Sequence, residues 1–198
     1  AGTLTLDQDN TYSGNTTING GTLLVNNSTG SGTSSGAVTV NSGGTLSGNG
    51  IINGVVTVKP GGTLSPGASI GTITLNNYLS LSGNLALEVD KSRAPGQTND
   101  LIAGFAMVDG SGTVSVQNLG PALVPGDTFK IVSFPVTEGD KVSIETPGVV
   151  WANNLATSST RHPGSPDKMT KAISWVIVVT RPDPVKEKRV SDVSSRSL

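Results

Sequence analysis

The sequence predicts an all-β protein made of a parallel β-helix stem, a β-rich region that caps it and an extended C-terminal tail. Composition is the first reason. Among 198 residues there are 26 Gly and 11 Pro, with 34% hydrophobic and only 4% aromatic residues, the balance of a turn-rich β chain. The second reason is an internal repeat in "AVTVNSGGTLSGNGIINGVVTVKPGGTLSPGASIGT" (37–72), whose halves align at an offset of about 18 residues. The third is a change of pattern near residue 90, where short runs give way to longer strands separated by Pro and Gly.

From 1 to 90 the β-prone runs are "TLTL" (3–6), "TTI" (16–18), "TLLV" (22–25), "AVTV" (37–40), "TLSG" (45–48), "VVTV" (55–58), "TLS" (63–65), "TITL" (72–75) and "LSLSGNLALEV" (79–89). Gly-Gly-Thr-Leu recurs at 20–23, 43–46 and 61–64. Three short strands per repeat of roughly 20 residues suit one coil of a solenoid, a unit that buries its apolar side only by stacking on the next. Gly20, Gly21, Gly43, Gly44, Gly61 and Gly62 are the expected structural turn residues, since a tight corner calls for φ > 0, which Gly accepts without steric cost. The 18-residue alignment places Val38, Val40, Leu46 and Ile52 in inward ladders with Val56, Val58, Leu64 and Ile70, while Thr and Ser between them face out. "STGSGTSSG" (28–36) contains no apolar residue and reads as a loop extruded from one coil. An antiparallel meander or sandwich is the competing arrangement.

Residues 91–180 form the predicted β-rich region, with runs at 101–108, 112–119, 127–134, 140–145, 149–152 and 172–180. They hold all three Phe and both Trp, and closing the open end of a solenoid protects strand edges from aggregation. Residues 181–198 carry five Lys/Arg, three Asp/Glu and widely spaced Val185, Val190 and Val193, the composition of a tail ordered only by a partner.

A formal net charge of −1 argues against a general grip on nucleic acid or an anionic membrane, both of which call for clustered positive charge. The absence of cysteine removes disulfides and thiolate metal sites. No apolar run approaches the roughly 20 residues of a membrane helix; the longest, Trp175–Val179, suits a buried strand, so no membrane insertion is expected. An Ala1-Gly2 start without Met fits removal of a signal peptide and fits trimming equally.

At "GNGIINGVVTVKPGGTLSPGASIGTITL" (48–75) the sequence resembles the autotransporter-associated β-strand repeat, also called the passenger-associated transport repeat. The match rests on Pro60-Gly61-Gly62-Thr63-Leu64-Ser65-Pro66-Gly67 and Ser69-Ile70-Gly71-Thr72. The stretch that follows, with "PGDTFKIVSF", is similar to the region after such repeats in bacterial surface proteins. The resemblance spans roughly 1–134 and implies a secreted bacterial protein whose repeats form a non-catalytic β-helical stem. It does not extend to the basic stretch from Arg181, and no membrane barrel of alternating strands of about ten residues follows.

Enzymes on parallel β-helices place two or more carboxylates together, yet from Asn10 to Leu87 there is no Asp or Glu and Lys59 is the only charged residue. Elsewhere the acids come in groupings such as Asp7/Asp9, Glu88/Asp90, Asp100 with Asp109 and Glu138/Asp140, which read as solvated turn residues, with Ca²⁺ a weak alternative. His162 lies in a loop with no second His or Cys for a metal site or a dyad. Tyr12, Tyr78, Trp151 and Trp175 could stack on sugars, but both Trp lie within apolar runs and read as core. The expectation is therefore an enzymatically inert extracellular protein of the bacterial cell surface, without cofactors. It is expected to assemble head-to-tail with copies of itself. The assembly residues would be Trp175, Val176, Ile177, Val178 and Val179, or Val185, Val190 and Val193, completing a neighbour's sheet or stacking near Thr3–Leu6. The alternative is an adhesin or glycan-binding module using the Thr/Ser/Asn face or the 28–36 loop; a catalytic reading rests on fold analogy alone.

Overall fold

The computed structural model describes residues 1–104, 108–109, 111–133, 143–145, 151–155 and 175–179, with backbone alone at 108–109, 143–145, 151–155 and 175–178. It is all-β, and no helix occurs among the described residues. Four sheets account for its strands. The largest runs, in spatial order, through β1 (Thr3–Leu6), β3 (Gly21–Val25), β5 (Gly44–Gly48), β8 (Thr63–Pro66), β11 (Asn84–Val89), β14 (Thr113–Asn118) and β16 (Ser143–Glu145). A second holds β2 (Thr16–Ile18), β4 (Val38–Val40), β7 (Val56–Val58), β10 (Leu79–Leu81) and β13 (Val108–Asp109). The third is β6 (Ile51–Ile52), β9 (Thr72–Leu75) and β12 (Leu101–Gly104). All pairings in these three sheets are parallel.

The chain visits second, first and third sheet in turn and then begins again one strand further on. Alternation is what makes this stack cohere. In β4 and β7 both valines are buried and the central threonine is half-exposed, the period-2 pattern of a sheet with one dry face. Aliphatic residues then fall in line: Leu23, Leu46, Leu64, Leu85 and Val114 occupy one column of the first sheet, each at most 5% exposed. Val38–Val56–Leu79 and Val40–Val58–Leu81 do the same in the second. Each buried Leu or Val side chain contributes roughly 1.5–3 kcal/mol of hydrophobic stabilisation, and all of them join one continuous core.

The 18-residue offset holds for Leu46 and Leu64 but not for Ile52 and Ile70. Ile52 pairs instead with Leu75, 23 residues on, and Ile70 is half-buried outside any strand. Pro66–Gly71 explains the slip: Gly67 turns with φ 81° and forms an isolated bridge back to Gly48, and Ser69 and Ile70 are spent on the corner before β9 starts.

The boundary expected at residue 90 is not an end of the parallel sheets. β14 pairs with β11 over six residues, β16 extends the same sheet, and Ile102 bridges Val132 in parallel. What changes there is connection length: from Asn84 to Thr113 the register advances 29 residues, against 18 from Thr45 to Thr63. An antiparallel sheet does follow, in the order β15 (Thr128–Lys130), β18 (Trp175–Val179), β17 (Trp151–Leu155). Phe129 joins the common core at 2% exposure.

Candidate functional site

Four features could carry function: the paired glycines, the polar segment at 28–36, the carboxylates near residue 90, and the sheet edges. The paired glycines do two jobs rather than one. Gly43 and Gly61 adopt φ 80° at the corner. Their successors Gly44 and Gly62 have ordinary φ, but a Cβ on them would stand 2.5 Å from Ile18 O and 2.7 Å from Val40 O. The first glycine makes the turn and the second lets one circuit of chain lie directly on another. In the first copy Gly21 does both, at φ 71° and 2.5 Å from Gly2 O, while Gly20 sits in open space.

The 28–36 segment is not extruded. Ser31, Gly32, Thr33 and Ser34 are buried, and the segment lies along the edge of β6: Gly32 N donates to Ile51 O, Asn53 N to Ser31 Oγ and Ile51 N to Asn27 Oδ1. Asp9 Oδ1 accepts from Ser31 N, and Asn10 N donates to Ser31 O. A stretch without apolar residues could be packed because the Ser31 hydroxyl and the adjoining Asn27 amide meet backbone N–H groups of β6 and its neighbour Asn53, although Thr33 Oγ1 is buried without a partner. Asparagines do the same at other corners. Asn41 Nδ2 donates to Asn19 Oδ1, Asn76 Nδ2 to Asn53 Oδ1, and Asn49 N to Asn26 Oδ1. Their spacings of 22, 23 and 23 residues are a signal in the sequence that the 18-residue alignment passes over.

Asp100 overturns the reading of the acids as solvated turns. It is fully buried, its Oδ1 accepts from Gly71 N at 2.8 Å, and its Oδ2 accepts from Glu88 N at 2.7 Å. Desolvation pushes its pKa up to about 7, opposed by those two N–H donors and reinforced by Glu88. Glu88 Oε2 is itself shut from solvent without a hydrogen-bond partner. Asp90 turns away to Ser92 and Arg93, and the Ser92 hydroxyl and N–H hold it below the usual carboxylate range. Asp7 and Asp9 are exposed. No cluster of three metal-ligating side chains occurs among the described residues. His162, Glu138 and Asp140 lie outside them, as do Val185, Val190 and Val193.

Trp175, Val176, Ile177, Val178 and Val179 form β18, but not as a free edge. β18 is the central strand of the antiparallel sheet, with Val176–Val178 paired to Lys130–Thr128 on one side and β17 on the other. A strand whose two edges are occupied within its own chain cannot complete a neighbour's sheet, so the donor role expected for it is withdrawn. Of the tyrosines, Tyr12 is exposed and its hydroxyl lies 2.6 Å from Thr16 Oγ1, while Tyr78 is half-buried. Trp151 and Trp175 lie in β17 and β18, and their side chains are outside the described part.

At the other edge of the first sheet, β1 pairs with β3 alone among the described residues. Leu4 heads the column of Leu23, Leu46 and Leu64 yet is 62% exposed. β1 carries neither a charge nor a proline, the usual guards of an edge strand.

No curated protein matches the chain significantly. Residues 1–25, which include β1, β2 and β3, match the family model described as passenger-associated-transport-repeat. That match falls on the first copy of the motif whose third copy, at 61–64, carries the sequence resemblance, so the likeness to the passenger-associated transport repeat rests on two copies of one motif.

Proposed function

We propose that the stacked circuits form one β-solenoid and that the protein is an enzymatically inert, extracellular stem segment of a bacterial surface protein of autotransporter-passenger type. The observation that carries this reading is the pairing of an unbroken apolar core with a nearly charge-free exterior, which leaves Lys59 alone between Asn10 and Leu87. Such a surface offers no acid, base or metal cage for chemistry, whereas stacked repeats offer length and rigidity. Within this reading we place a finer element, head-to-tail association of copies through β1. Exposed Leu4 and the edge of β1, unpaired among the described residues, favour it, and contacts between unlike ends that do not close generate fibres.

Negative-stain electron microscopy of the full chain beside its Leu4→Lys variant tests the association. Filaments from the parent and short rods from the variant are expected, because a lysine on an edge strand blocks pairing. Rods from both would leave the stem and remove self-assembly. Globular particles from both would remove the solenoid. A second reading, adhesion to glycans, is favoured by the half-exposed polar row Thr22, Thr45, Thr63, Asn84 and Thr113 on the first sheet, and glycan-array binding lost on Thr45→Val would establish it.

A further inference from the structure

Three Asn-Gly pairs lie in the stem, at 19–20, 49–50 and 53–54, and their surroundings differ in a way that bears on covalent chemistry. An Asn side chain followed by Gly can be attacked by the glycine backbone nitrogen. That requires a nitrogen free of other hydrogen bonds, room for the ring that forms, and a polarised side-chain carbonyl. At Asn49 the side-chain carbonyl is polarised by Thr72 N, but the first condition fails, since Gly50 N donates to Val25 O at 2.8 Å. At Asn53 the second fails: Gly54 is buried against Gly36 O, with no room even for a Cβ.

Asn19 meets all three. It is exposed. Gly20 N has no acceptor among the described residues, and nothing lies within 4 Å of where a Gly20 Cβ would stand. Asn41 Nδ2 donates to Asn19 Oδ1 at 2.7 Å, drawing electron density from Cγ as an oxyanion donor does.

We propose that Asn19 is a site of spontaneous deamidation built into the first corner of the stem. Gly20 N bonds to Asn19 Cγ, the Cγ–Nδ2 bond breaks and ammonia departs with the proton lost from Gly20 N, leaving a cyclic imide. Water then adds to either imide carbonyl, giving an aspartate or an isoaspartate at position 19. The aspartate still presents an acceptor to Asn41 Nδ2 and keeps the corner. The isoaspartate lengthens the backbone between Ile18, whose carbonyl accepts from Asn41 N, and Gly21, whose close approach to Gly2 O seats β1. Either product places a negative charge in a stretch that otherwise holds only Lys59.

The full chain, incubated in mildly alkaline buffer and mapped by peptide mass spectrometry, tests this, with a denatured sample run in parallel. In the folded chain, conversion at Asn19 is expected to outpace Asn49 by about tenfold, the factor that one intact hydrogen bond at Gly50 N sets. In the denatured chain the three pairs should react alike. A Gly20→Ala variant, which the open corner accommodates, should suppress the reaction at Asn19 while leaving the melting temperature unchanged. Equal rates at Asn19 and Asn49 in the folded chain, or an unaltered Asn19 rate in Gly20→Ala, would overturn the proposal.

Discussion

At Asp100 a single carboxyl group ties three parts of the chain together. Its two oxygens hold Gly71 N ahead of β9 and Glu88 N within β11, and its own backbone leads into β12. Burial makes the charged form costly, so the folded protein holds this proton up to about pH 7, whereas the unfolded chain releases it near 3.8. Between those values the folded state binds more protons, and stability from this group falls as pH rises, by up to about 1.4 kcal/mol per pH unit. Below 3.8 the contribution is full, and above 7 it is lost. Asp100→Asn removes the titration but leaves one of the two N–H donors without an acceptor, a cost of about 1–3 kcal/mol. Denaturant unfolding of both proteins should therefore show the variant weaker in mild acid, with the gap narrowing or reversing at neutral pH. A gap that stays constant across that range would mean that Asp100 does not carry its proton in the fold. Nothing in the sequence announced this residue. An aspartate after a polar loop has the same local signature whether it faces water or the seam between two strands, and only the three-dimensional register puts it opposite Gly71.

Among the elements, the antiparallel sheet of β15, β18 and β17 is joined to the parallel stack through the aromatic ring of Phe129, buried beside Ile131 and Val132 in the common core. Phe129→Ala should cost about 3–5 kcal/mol by opening a cavity there. If the antiparallel sheet is a separate cooperative unit, amide exchange will accelerate in β17 and β18 while β4, β5, β7 and β8 keep their protection. Uniform acceleration across all of them would show the two architectures unfolding together. Most parallel strands of the stem were legible in advance because Val-Thr-Val and Gly-Gly-Thr-Leu repeat with the alternation a half-buried strand requires, so that Val38 and Val56, or Leu46 and Leu64, could be aligned by eye. Corners were legible only at their glycines, Gly43 and Gly61, which turn with φ 80°. Corner lengths vary from copy to copy, which shifted Ile70 out of its expected ladder, and their polar residues pack through hydrogen bonds that have no hydropathy signature, which hid the burial of Ser31–Ser34. Partnership was equally invisible: the apolar run at Trp175–Val179 has the composition of a strand seeking an edge, and only its pairing shows both edges already taken.

Over the whole molecule, charge and architecture are segregated. The stack from Asn10 to Leu87 holds one charged side chain, whereas the connection after β11 carries the two ion pairs found among the described residues, Lys91–Asp127 at 2.9 Å and Arg93–Asp90 at 3.5 Å. A stack stabilised by apolar columns and backbone ladders has little for salt to screen, while exposed ion pairs weaken as the Debye length shrinks from about 30 Å at 0.01 M to about 8 Å at 0.15 M salt. Hydrogen exchange followed across that range should leave β4, β5, β7 and β8 unchanged and speed residues 91–98 about twofold to fivefold, the span that partly exposed pairs set. Exchange in the strands that rose with salt would mean that long-range electrostatics help hold the parallel sheets together, which their sequence gives no means to do. Constancy there would give a stack whose rigidity does not depend on the surrounding ionic strength, and would confine salt sensitivity to the connection where the repeats lengthen and the antiparallel sheet begins.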